Sequence, residues 1–218
     1  MNGETLASGD LIQVSDGDRV TSRLTFHFRD GSLDDETTVF SQHKILRLIS
    51  DRHVQKGPAY PKPMDVLIQH NGTVTMRDDA GKTSVEHIDL PPDTYNGLQF
   101  AVVANILPTT PETKIAYVAP TGKGRLIHLS ITPEGEDAFT AAGVKRKAVN
   151  YRLHPELGGL TGMVAPLIGK QPEDAHVWVM QSEAPAIVKV EAQFYEGGPV
   201  WRVELTSPVW SGEPRASR

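Results

Sequence analysis

One stretch of this sequence is apolar on nearly every side. Residues 94–107 follow Pro91 and Pro92, with Asp93 placed to cap the first amides, and Pro108 stops the run. At helical spacing, Leu98, Val102 and Ile106 form one row. Phe100, Val103 and Leu107 form a second, well round the cylinder, with Ala101 and Ala104 between them. Only Asn96, Gln99 and Asn105 are strongly polar inside the run. A helix with two apolar faces has to be buried on both. The rest of the chain must therefore supply walls.

The remainder alternates with the period of half-buried strands. Over 20–28, Leu24, Phe26 and Phe28 share one face and Arg23, Thr25 and His27 the other. Similar signals cover 37–42, 45–50, 83–88, 114–118, 125–131, 144–153, 177–180, 186–195 and 200–206. Asn71-Gly72 between two apolar runs predicts a two-residue hairpin, with Gln69 opposite Val74 and Leu67 opposite Met76. Residues 133–135 read as a turn, and 136–142 as a loop or short helical turn. The strand signals lie too close together for βαβ units. The fold expected is α+β and mainly β: one strongly curved antiparallel sheet, an incomplete barrel, wrapped around the 94–107 helix. Residues 1–19 read as a polar arm, 20–206 as one domain and 207–218 as a polar tail.

Composition narrows the function classes. Of 218 residues, 22 are Lys or Arg and 27 Asp or Glu, a net charge of -5. That balance gives no basic field for a nucleic-acid backbone. Lys145-Arg146-Lys147 alternates along a strand and reads as a solvated face. The absence of cysteine excludes disulfides, thiolate metal sites and a cysteine nucleophile. No apolar run is long enough for a membrane helix. Met1-Asn2-Gly3-Glu4-Thr5 lacks the basic and apolar regions of a signal peptide.

Catalytic signatures are missing. Neither G-x-S-x-G nor H-E-x-x-H occurs. Gly81-Lys82-Thr83 imitates the end of a phosphate loop, but Met76 stands where its first glycine belongs. The eight histidines form no pair at helical spacing, although His70, His87 and Asp89 could meet across strands. Asp34-Asp35-Glu36 reads as a solvated acidic turn without the staggered ligands of a calcium loop. Neither a metal nor a cofactor is expected.

What the chain does offer is apolar surface near its C-terminal end. Residues 157–169 mix Gly158, Gly159, Gly162 and Gly169 with Leu160, Met163 and Leu167, a composition poor in helix propensity. On the following strands lie Trp178, Tyr195 and Trp201, with Phe194 and Tyr195 expected to point oppositely. A cleft between that segment and the sheet would be lined by Leu160, Met163, Leu167, Trp178, Tyr195 and Trp201, with Lys170 and His176 at its mouth.

Leu90-Pro91-Pro92-Asp93 ahead of the helix, Gly169-Lys170-Gln171-Pro172, Val177-Trp178-Val179 and Gly197-Gly198-Pro199-Val200-Trp201 together resemble the DUF3108-like family of uncharacterised bacterial proteins. That family looks similar in shape to the lipoprotein carrier and receptor half-barrels of the periplasm. The resemblance spans about 20–206 and implies an exported protein with an apolar concavity. The function expected is non-enzymatic binding of an apolar or lipid-like ligand in the bacterial envelope. Two alternatives stand beside it: an interaction protein that self-associates through a sheet edge, and a hydrolase using His and Asp from different strands.

Overall fold

A computed structural model describes residues 3–78, 80–119, 125–141, 144–156, 172–181 and 185–206. Strands make up 62% of the described residues and helix 3%, so the fold is in practice all-β. There are two antiparallel sheets, and they do not close into a barrel. The first sheet is a meander of seven strands in sequence order: β1 (Ala7–Asp16), β2 (Arg19–Phe28), β3 (Leu33–Ser41), β4 (Arg47–Lys56), β5 (Met64–Gln69), β6 (Thr73–Arg77) and β7 (Thr83–His87). The second runs from β8 (Thr113–Ala119) through β9 (Arg125–Ala141), β10 (Val144–Glu156), β11 (Ala175–Met180) and β12 (Ala186–Gln193) to β13 (Val200–Glu204). Within each sheet every strand pairs with its chain neighbours, as short connections favour.

The single curved sheet expected is two separate sheets, and four further expectations change. The polar arm is a strand: Ala7–Asp16 pairs along its whole length with Arg19–Phe28. Gly17 closes that hairpin at φ +57, the conformation that a tight turn needs in its first central position. The helix is shorter than predicted. Only α1 (Gln99–Ala104) is helical, and Asp93 does not cap it. Residues 93–96 are instead drawn into pairing with β8, where Ala116 N donates to Asp93 O and Tyr95 N to Ala116 O. Leu98, Val103 and Ile106 are buried, whereas Leu107 is 67% exposed. Of the turn and loop expected over 133–142, residues 133–141 are part of β9, which runs straight through. Its irregularity shrinks to a bulge at Glu134, where Gly135 takes φ +124.

The fourth correction is one of register. Ile68 faces Val74 and Val66 faces Met76, one residue away from the predicted pairing. The loop holds three residues rather than two, with Gly72 at φ +86 and its amide bonded to Gln69 O. A slip of one residue turns every side chain over. Here it buries Val66, Ile68 and Val74, each at most 4% exposed. The register that buries β-branched residues wins over the one that the dipeptide alone suggests.

The core has two parts. One gathers Val20, Phe40, Val66, Ile68 and Val74 of the first sheet with Leu98 and Val118. The other gathers Ile115, Ile131, Tyr151, Val177 and Val179 of the second with Val103 and Ile106. Tyr95 packs against both. The crossing segment reaches the first sheet through Gly97, at φ +65. A Cβ there would collide with the Thr38 side chain and crowd the Asp51 carboxylate.

Gly97→Ala should therefore lower stability by about 3 kcal/mol, combining left-handed strain with overpacking. Gly31→Ala provides the contrast. It has the same sign of φ but open space around it, and should cost about 1 kcal/mol. Urea midpoints of the two variants check the difference.

Candidate functional site

Three cross-strand rows on the inner face of the first sheet define the most polar part of the interior. Gly9, Phe26, Asp34 and Gln55 lie side by side from β1 to β4. Next come Leu11, Leu24, Glu36 and His53, then Gln13, Ser22, Thr38 and Asp51. The strand period places Asp34 and Glu36 on this face and Asp35 on the other. There the Arg23 guanidinium binds Asp35 at 2.8 and 3.0 Å and, with burial opposing, holds its carboxyl below the usual range. The acidic turn read from Asp34-Asp35-Glu36 is thus the inside and outside of one strand.

Asp34 is the centre of the network. His53 Nε2 lies 2.7 Å from its Oδ1, and Gln55 Nε2 and the Tyr60 hydroxyl each donate to its Oδ2 at 2.9 Å. His53 Nδ1 is 3.9 Å from Glu36, and Thr38 Oγ1 donates to Asp51 at 2.8 Å. Burial first, then the charge of Glu36, pushes the Asp51 carboxyl up to about 8. Burial also raises Glu36. For His53 burial works downward, but the bond to Asp34 and the charges of Glu36, Asp34 and Asp51 outweigh it and carry the imidazolium up to about 9. Tyr117 of β8 faces this cluster from the second sheet, and burial followed by the nearby carboxylates raises its phenol.

This arrangement is a closed charge network. Asp34 meets a cationic His53, while Glu36 and Asp51 hold their protons more tightly than free carboxyls do. An imidazole held protonated to about pH 9 donates hydrogen bonds and does not accept a proton at neutral pH. Among the described residues no three His, Asp or Glu are arranged to hold a metal ion.

A small hollow opens beside the network. It measures about 40 Å³ and lies between Leu24, Glu36 and Thr38 of the sheet and Leu98 and Phe100 of the crossing segment. Leu11 and Gln13 of β1 stand at its rim. A volume of this size suits two or three waters, roughly, against the several hundred Å³ of sites that enclose a drug-sized molecule.

The residues expected to line an apolar cleft are divided. Leu160, Met163, Leu167 and Lys170 lie outside the described residues. Tyr195 and Trp201 do come together, in an aromatic cluster with Tyr60, Phe26, Phe28 and Phe194 that bridges the two sheets. Phe194 and Tyr195 do not point oppositely. β12 ends at Gln193, and past the strand both rings lie within 5.9 Å of Trp201. Trp178 and His176 stand apart from that cluster. The Trp178 indole donates to Asp137 at 2.7 Å beneath the Lys189 ammonium, and His176 approaches Glu134 at 3.3 Å.

Sequence reading missed β1, the most exposed part of the site. Nine of its ten residues are exposed, including Leu11 at 60%, Ile12 at 55% and Val14 at 62%. It is the outermost strand of its sheet. Its hairpin with β2 is closed by the pair Asp16 and Arg19, and Arg29 N donates to Leu6 O at 2.9 Å. Antiparallel pairs alternate, so the even-numbered residues of β1 turn their backbone groups to β2. Those of Ala7, Gly9, Leu11, Gln13 and Ser15 face outward. The edge at β8 is treated differently. Asn96 Nδ2 donates to Val118 O at 2.9 Å and Val118 N donates to Asn96 Oδ1 at 2.8 Å, so a side-chain amide stands in for a neighbouring strand. β7 and β13, at the remaining edges, are five residues each. The signal for β1 was present in Leu11-Ile12-Gln13-Val14 ahead of Asp16-Gly17-Asp18.

Comparison of the chain with protein-family models, curated proteins and solved structures finds no match.

The charge network has a consequence for pH. Asp51 and His53 both have folded pKa values above their ordinary ones, so the native state keeps protons that the unfolded chain releases. Stability from Asp51 is complete below its ordinary 3.8 and lost as pH rises to about 8. That from His53 is complete below 6.5 and lost by about 9. The urea midpoint should fall between pH 6.5 and 9, and Asp51→Asn should flatten that decline. A midpoint that rises over this range contradicts the network as described.

Proposed function

We propose that the protein is an interaction module that binds by accepting an extended strand at the β1 edge. The observation that carries this reading is the contrast between edges: β8 is covered by residues 93–96, while the ten-residue β1 presents outward backbone groups and exposed apolar side chains. Natural sheets protect long edges with charge, proline, bulges or a covering segment, because an unpaired row of N–H and C=O groups is a template for another chain. β1 carries no Lys, Arg or Pro, its only charges are Asp10 and Asp16, and its register with β2 is unbroken. Strand addition supplies main-chain hydrogen bonds for affinity and uses whatever lies beside the edge for side-chain choice. The rim of the hollow, at Leu11 and Gln13, is what an added strand would meet.

A short peptide of alternating Thr and Val tests the reading by amide hydrogen exchange. The outward amides of Gly9, Leu11 and Gln13 should slow by about tenfold at saturating peptide. Those of Asp10 and Ile12, already bonded to β2, should change little. Leu11→Pro removes an outward donor without touching the β1–β2 ladder and should abolish the protection. With the chain diluted until it sediments as a monomer, exchange at Leu11 and Gln13 that ignores the peptide would rule out strand acceptance at this edge.

A further inference from the structure

We propose that the strand accepted at this edge is β1 of a second copy of the chain, antiparallel, with the two-fold axis passing between the two Ile12 residues. This rests on the strand-acceptance reading above and names its partner. A contact of β1 with β1 is isologous, so it closes as a dimer and uses up the exposed edge in both copies.

The sequence of β1 selects one register. Outward-facing residues are odd-numbered and must meet odd-numbered residues, so symmetric pairings with long overlap centre on residue 10, 11, 12 or 13. Centring on Asp10 sets two carboxylates face to face. Centring on Gln13 sets Asp10 opposite Asp16, again like against like. Centring on Leu11 places Ile12 opposite Asp10. Centring on Ile12 pairs 8–16 of each copy, puts no carboxylate opposite another, moves Asp10 from the central isoleucine to Val14 of the partner subunit, and sets Ile12 against Ile12 of the partner subunit. That pair is of the non-hydrogen-bonded kind, in which side chains approach most closely. Ile12 is 55% exposed and Val14, two residues along the same face, is 62% exposed. The two isoleucines then meet directly at the junction, with each Val14 beside Ile12 on its own strand and opposite Asp10 of the partner subunit. On the opposite face Leu11 meets Gln13 of the partner subunit above the mouth of the hollow.

The absence of cysteine makes the register directly readable. Facing residues of a non-hydrogen-bonded pair have Cα atoms about 4.5 Å apart, within the span of a disulfide. Under mild oxidation Ile12→Cys should cross-link to its own copy at least about tenfold faster than Leu11→Cys or Gln13→Cys, which the register sets farther apart. Sedimentation of the wild-type chain should show a concentration-dependent dimer. Leu11→Pro, or Ile12→Lys should the proline variant lose its far-ultraviolet β spectrum, should sediment as a monomer. A wild-type chain that stays monomeric to its solubility limit overturns the proposal. So does a dimer indifferent to both variants, or faster cross-linking at Leu11→Cys or Gln13→Cys. Peptide protection of the outward amides in a monomeric chain would leave strand acceptance standing and remove only the second copy as its partner.

Discussion

The carboxylate of Asp34 is the constraint around which the interior is organised. Its side chain is 5% exposed, a position where an unpaired charge would be prohibitive. It accepts hydrogen bonds from Gln55 and Tyr60 and meets a cationic His53. Two of these partners reach the second sheet. Gln55 donates to Phe194 O at 2.8 Å, and the Tyr60 ring packs edge-on to Tyr195 and Trp201. The group that satisfies the buried charge thereby fixes how the β12–β13 hairpin meets the first sheet. Removing Asp34 would leave several oriented donors without an acceptor, a larger perturbation than the loss of any one bond.

The same polar rows decide where the core lies. On β3 the inward residues run Asp34, Glu36, Thr38 and Phe40, polar at one end and apolar at the other. Phe40 and Val20 join the apolar cluster with Leu98. Nearer the Asp34 end, hydrogen bonds and the aromatic bridge take over from aliphatic packing. Gly97 belongs to this boundary, because only a residue without a side chain lets the crossing segment touch the Thr38–Asp51 pair.

Much of the fold was legible because strand periodicity is local. Alternation located most of the strands, and antiparallel pairing follows from their short connections, although the single sheet expected is two. What escaped was set by distant partners. The run from Thr94 onward has helical composition, but Thr94, Tyr95 and Asn96 are recruited by Ala116 and Val118, more than twenty residues away. Asn71-Gly72 marked the turn correctly, but the burial of Val66, Ile68 and Val74 fixed the register. The site was the least legible part. Asp34 and Asp35 differ in nothing but strand parity, so their opposite fates become visible only once Arg23 and His53 stand on either side. β1 was read as an arm because Ser8, Gly9, Asp10 and Ser15 dominate its composition, while Leu11, Ile12 and Val14 gave the opposing signal.

The exposure of β1 has its origin in the strands beneath it. Ser22 and Thr38 are small where a larger apolar residue would have filled the space under the edge, and the hollow is the result. On its inner face β1 therefore rests on little: the Phe26 ring lies over Gly9, and Gln13 Nε2 donates weakly to Ser22 Oγ at 3.3 Å. Its outer residues Ile12 and Val14 are exposed and have Arg23 and Thr21 as their cross-strand neighbours. The strand is held by its backbone ladder and its turn far more than by burial. A ladder with one free side and exposed β-branched residues gains from a second neighbour both the missing hydrogen bonds and the missing apolar contact, whereas a buried edge would gain neither. The underfilled interior and the exposed edge are therefore two consequences of the same choice of small residues on β2 and β3.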